Sequence, residues 1–178
     1  MSVNKDIAEK IYKKTGSSTR IEVLPSAKEI GCVRINFQSF DPDSLKQTAL
    51  ISFYLPITKA YAFGQNILLG NADGIPKIIG GSPEKKVKNE DGKTIRIPCQ
   101  YREMSLYKGM KKPWCLTGKA CEGETGGKTG GIMPVKGLVK DDWDSVTIAF
   151  ESDFELDEFA SALVMLSQTV SNFLYQEE

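Results

Sequence analysis

Histidine is absent from this chain of 178 residues. With it go the usual general base, the Ser-His and Cys-His nucleophile pairs, and the commonest metal ligand. Cysteine is scarce, at Cys32, Cys99, Cys115 and Cys121, and no two have Cys-x2-Cys spacing; only Cys115 and Cys121 lie close. They read as reduced thiols, with Cys32 and Cys99 as small core residues on strands; a four-thiolate zinc site is the sharper alternative. No apolar run approaches the ~20 residues that a membrane span needs. Met1 to Lys14 has neither an apolar h-region nor a small-residue cleavage site, so a cytoplasmic protein without a membrane partner is expected. These absences leave no acid–base pair to place. The expectation is a protein that is not an enzyme and carries no cofactor.

Basic residues are missing from one end only. Net charge is zero, yet Asp141 to Glu178 holds ten acidic residues and no basic one. Lys77 to Lys140 has fourteen basic and six acidic residues, a net +8. Such segregation speaks of partners more than the total does. The size and the 40% hydrophobic content fit a single globular domain over 1–178.

Ser145 to Gln176 reads as a strand running into a long helix. Val146, Ile148 and Phe150 alternate with polar or small residues, as on a half-buried strand. Leu156, Phe159, Leu163, Leu166, Val170 and Phe173 then recur at helical spacing, with Asp153 or Asp157 placed to cap the start. Ile51 to Leu55 followed by a helix from Pro56 to Gly70 repeats this layout. Strands are also expected over Arg20–Leu24, Ile30–Phe40 and Thr94–Tyr101, and a short helix over Asn4–Lys14. Pro98 marks an edge or bulge in its strand, and the change of apolar parity to Met104 and Leu106 implies a bulge or bend after Arg102. Asn89 to Gly92 is a hairpin turn. Lys108 to Lys140, rich in glycine, is expected to give at most one short strand near Trp114–Ala120, then a loop over Glu122–Gly131.

Two motifs bear on function. Gly123 to Thr129 looks like a phosphate-binding P-loop, but Glu122 stands where the first glycine is needed. Gly130, Gly131 and Pro134 follow where a helix should begin, so nucleotide hydrolysis is not expected. The second motif is a basic stretch interleaved with aromatics: Lys93, Arg96 and Arg102 on and near a hairpin, then Tyr107, Lys108, Lys111, Lys112 and Trp114. Cations that neutralise phosphates and aromatic faces that stack bases are what single-stranded nucleic acid requires. Arg34, outward on an earlier strand, extends the track. A solvated hairpin with Tyr107 and Trp114 buried is the plain alternative.

Strands then a helix, twice in under 200 residues, resembles the Whirly family of single-stranded DNA-binding proteins, whose relatives include kinetoplastid mitochondrial RNA-binding proteins. Leu55-Pro56-Ile57-Thr58-Lys59-Ala60 is similar to that family's strand-to-helix junction. Gly118-Lys119-Ala120 is similar to its lysine-glycine-lysine-alanine DNA-contact motif, although the two matches come in the reverse order along the chain. The resemblance implies an α+β fold of two antiparallel sheets, each followed by a helix, with pseudo-repeat halves 19–72 and 76–176. It also implies helix-mediated homo-oligomers and DNA contact by Lys119. The expected function is sequence-tolerant binding of single-stranded DNA, ahead of RNA, without catalysis. The alternative is a protein-interaction or inhibitor module docking through its segregated charge.

Overall fold

Residues 12–25, 31–88, 92–126 and 131–175 are described by the computed structural model. Strands β1 (Tyr12–Thr15), β2 (Thr19–Pro25), β3 (Cys32–Phe40) and β4 (Gln47–Pro56) form an antiparallel sheet in that order, and helix α1 (Ile57–Leu68) follows directly. Next come β5 (Ile78–Ser82), β6 (Lys85–Lys88), β7 (Thr94–Ile97), β8 (Gln100–Tyr107), β9 (Trp114–Gly126), β10 (Gly131–Pro134) and β11 (Asp144–Phe150). Of these, β5, β8, β9, β10 and β11 make a second sheet, while β6 and β7 pair only with each other. Helix α2 (Asp153–Tyr175) closes the described chain. No helix among the described residues is long and apolar enough to cross a membrane.

This corrects the expected layout of two antiparallel sheets, each followed by a helix, behind a short N-terminal helix. There are three sheets, and the strands of the second half outnumber those of the first. Tyr12–Lys14, assigned to the end of a helix from its spacing, belongs to strand β1, with Tyr12 opposite Val23. The rest of that expected helix lies outside the described residues. The physical reason is tertiary: Tyr12 turns inward to meet the Phe159 ring edge-on at 5.6 Å, and Lys14 reaches Glu155 at 2.6 Å.

The glycine-rich stretch holds the largest surprise. β9 runs for 13 residues between β8 and β11, in the middle of the second sheet, where a short strand and a loop were expected. Its glycines are there for space, not for flexibility. A Cβ on Gly118 would lie 2.8 Å from the Phe37 ring of the first sheet, and one on Gly123 would lie 2.8 Å from the Tyr101 amide nitrogen. The P-loop-like segment therefore begins inside a strand. Gly118→Ala is expected to destabilise the fold by about 1–3 kcal/mol, because an added carbon must displace a fully buried ring. Lys119→Ala, half-exposed beside it, is expected to change stability by less than about 0.5 kcal/mol. Urea midpoints of the two variants check the contrast.

One apolar core joins both large sheets and both helices, including Phe37, Phe53, Phe63, Phe150 and Phe159. The α2 stripe is spent on it: Leu156, Phe159, Leu163 and Leu166 are buried there, while Val164 packs against Gly64 of α1. The α2 stripe thus serves contacts within the chain, whereas the resemblance implied helix-mediated homo-oligomers. Ser152, rather than Asp153 or Asp157, caps α2, its hydroxyl accepting the Glu155 amide proton at 3.3 Å. Glu155 in turn accepts from Lys14 and from the Glu151 amide. These bonds, Lys14's the larger, hold its carboxyl below its ordinary range.

Candidate nucleic-acid interface

The cations and aromatics expected to form one track are distributed over five places. Lys93 and Arg96 belong to the β6–β7 ribbon, where Arg96 is ion-paired with Glu84. Lys108, Lys111 and Lys112 sit on the β8–β9 connection. Lys108 pairs with Asp73 at 2.7 Å and Lys112 pairs with Glu151, so both tie that connection to its neighbours; Lys111 is exposed. Tyr107 and Lys119 lie on the outer face of the second sheet. The Tyr107 hydroxyl is 3.1 Å from that of Thr117, which continues to Thr147 at 2.7 Å. Lys119 is 4.0 Å from Glu103, a carboxylate that Lys77 also holds at 3.0 Å.

Trp114 must be corrected outright. Its side chain is only 8% exposed, and its indole Nε1 donates to Asp153 at 2.8 Å. The strand pattern buries it opposite Phe150, leaving no ring face for a base. Arg102 is corrected in direction. The apolar parity changes at Met104 because both faces of β8 are covered there, with Tyr101 against Trp143 at 5.7 Å, and the register runs through without a bulge. Arg102 therefore shares the inward face of Met104 and Ala120.

That inward placement brings Arg102 to the seam between the two large sheets. β4 and β5 are both edge strands, and their edges meet around a cleft of about 130 Å³ lined in part by Tyr54, Lys59, Ile79, Gly80 and Arg102. Arg34 is one rung across from Tyr54 on the outward face of the first sheet. Tyr54 is 47% exposed, and its neighbours on that face are polar, Ser52 donating to Asn36 at 2.8 Å.

Neither arginine has a carboxylate partner among the described residues. Arg102 donates to Ser82 at 3.4 Å and to Gln100, both neutral. The Nε atoms of Arg34 and Arg102 are buried without a hydrogen-bond acceptor. Burial pulls the Arg102 guanidinium below its ordinary pKa, with the Tyr54 phenol acting in the opposite sense. It remains charged at any ordinary pH. The seam thus holds two desolvated, acceptor-poor cations on either side of an accessible aromatic ring. Tyr54 escaped the sequence reading, although Ile51, Phe53 and Leu55 alternate with it and place it on Arg34's face.

No group of three or more His, Cys, Asp or Glu among the described residues is placed to hold a metal ion. Cys115 and Cys121 share a face of β9 but stand six residues apart, about 20 Å along an extended strand. Burial pushes both thiols above their ordinary pKa, which also keeps them protonated.

No protein-family model matches the chain, and no curated protein matches it. Among solved structures, one described as "Crystal structures of trypanosoma bruciei MRP1/MRP2" is similar over 89% of this chain and 75% of that one. The identity is 13% and the TM-score 0.37. An overlap this loose transfers no role to any residue.

Proposed function

We propose that the chain is a non-catalytic binder of single-stranded nucleic acid, sequence-tolerant and DNA-preferring, gripping the strand at the seam between its two large sheets. The observation that carries this reading is the pair of guanidiniums, Arg34 and Arg102, each with a buried Nε lacking an acceptor, flanking exposed Tyr54. A guanidinium without a carboxylate partner keeps its charge and its Nη donors for phosphate oxygens. Tyr54 offers a π-face to a base, and stacking needs no particular base. Ser52, beside Tyr54 on that face, adds a neutral hydroxyl, itself bonded to the buried Asn36.

Self-association belongs to the same proposal. Leu68 and Leu69, at the end of α1, and Phe154 and Met165 of α2 remain exposed after the helices pack on each other, and a second copy covers them. The test of binding is a titration with a fluorescent oligothymidine at several salt concentrations. Expected is binding at low salt, with log K falling linearly in log salt at a slope of roughly 0.7 per phosphate neutralised. No binding at the lowest salt would falsify the reading.

A further inference from the structure

The two-stranded ribbon is the distal half of a longer hairpin. Ser82 faces Gln100 in the β5–β8 pairing, and three residues on, Lys85 faces Ile97 in the β6–β7 pairing, so the register is unbroken. Pro83 and Pro98 occupy the adjacent rungs between them and interrupt the ladder, since proline has no N–H to donate. Every described residue beyond that break is exposed. From Ser82 to Lys88 the arm reaches about 20 Å at ~3.4 Å per residue.

Strand parity sorts the arm's residues. Lys86, Lys88 and Arg96 continue the face that carries Arg102, whereas Lys85, Val87, Ile95 and Ile97 continue the opposite one. Lys86 and Arg96 are directly opposite each other, and like charges facing across a rung are destabilising. Glu84, on the same face, relieves only Arg96. A polyanion laid along this face relieves the repulsion and joins the seam site through Arg102.

We infer that this arm is a second nucleic-acid surface, its Lys86–Arg96–Lys88 face carrying the phosphates of a strand that has passed the Arg34–Tyr54–Arg102 seam. The inference rests on the binding function proposed above and extends it by giving the site a length and a direction. The arm lengthens the stretch of strand that the protein occludes.

The test compares the unaltered protein with the Lys86→Ala/Lys88→Ala/Arg96→Ala variant and with Lys85→Ala, whose charge lies on the other face. Oligothymidines of increasing length are titrated at several salt concentrations. The triple variant is expected to lose about 2 from the salt slope, for three phosphates at ~0.7 each, and to gain no affinity from the longest oligonucleotides. Lys85→Ala is expected to keep both properties. A triple variant with the unaltered slope and length dependence, beside an unaltered protein that binds, overturns the arm and leaves the seam standing. Complete loss of binding in a triple variant that melts like the unaltered protein overturns the arrangement of a seam followed by an arm, because the seam by itself is expected to hold a short oligothymidine. An unaltered protein that binds no oligonucleotide overturns both.

Discussion

Replacing Arg34, Tyr54 and Arg102 together by alanine is expected to weaken single-stranded oligonucleotide binding by roughly 10³-fold at low salt. The estimate takes about 1–3 kcal/mol for one stacked base and about 1.5–3 kcal/mol for each charge-assisted hydrogen-bonded contact. It uses the lower ends because neighbouring groups do not add. The components separate experimentally. Tyr54→Ala alone removes stacking, a loss of roughly 5- to 150-fold that leaves the salt slope unchanged. Arg34→Ala with Arg102→Ala lowers the slope by about 1.4 as two phosphates lose their partners. The fold should tolerate the changes: Tyr54 is exposed, and both arginines give up a buried Nε that has no acceptor. A triple variant that binds like the unaltered protein, with an unaltered melting curve, would remove the seam from the account.

Trp114→Ala is expected to have the largest effect on stability, a loss of about 3–5 kcal/mol, as for other buried aromatics cut to alanine. Against a typical total of about 5–15 kcal/mol, that leaves a marginal fold. The ring contributes to the shared core, and its indole N–H is one of the polar ties between β9 and the start of α2. Trp114→Phe is expected to cost less, since it keeps a ring while stranding Asp153 near solvent. The decisive measurement is oligonucleotide affinity per folded molecule for Trp114→Phe. An unchanged value agrees with a structural tryptophan, whereas a drop matching loss of a stacked base would contradict its burial.

Period-two runs were read correctly where one face is buried and the other is polar: Ile21 and Val23, Val33 to Phe37, Ile51 to Leu55, and Val146 to Phe150. The helices after Pro56 and after Phe150 were legible for the same reason, the apolar spacing of Ala60, Gly64 and Ile67 and of Leu156, Phe159 and Leu163. β8 was misread because both its faces are covered, which erases the alternation and mimics a bulge. β9 was missed because glycine normally signals a turn; here Gly118, Gly123 and Gly126 make room for Phe37, the Tyr101 backbone and Met133. No local pattern contains that information for Gly118 and Gly123, whose clashes come from residues distant in sequence.

The candidate site divides in the same way. The sequence by itself determined the chemistry on offer: no histidine, a basic middle, an acidic end, and cations alternating with apolar residues along strands. It also identified Arg34 as outward-facing, because alternation on a half-buried strand leaves no other choice. Which cations on the β8–β9 connection are spoken for was decided only by the tertiary structure, which pairs Lys108 with Asp73 and Lys112 with Glu151. It likewise sank Trp114 into the core and turned Arg102 inward to meet Tyr54 across two sheet edges. The reason is physical. An ion pair, a buried ring and a sheet-to-sheet seam are each made by residues tens of positions apart, and sequence periodicity reports only which way a side chain points, not what it meets.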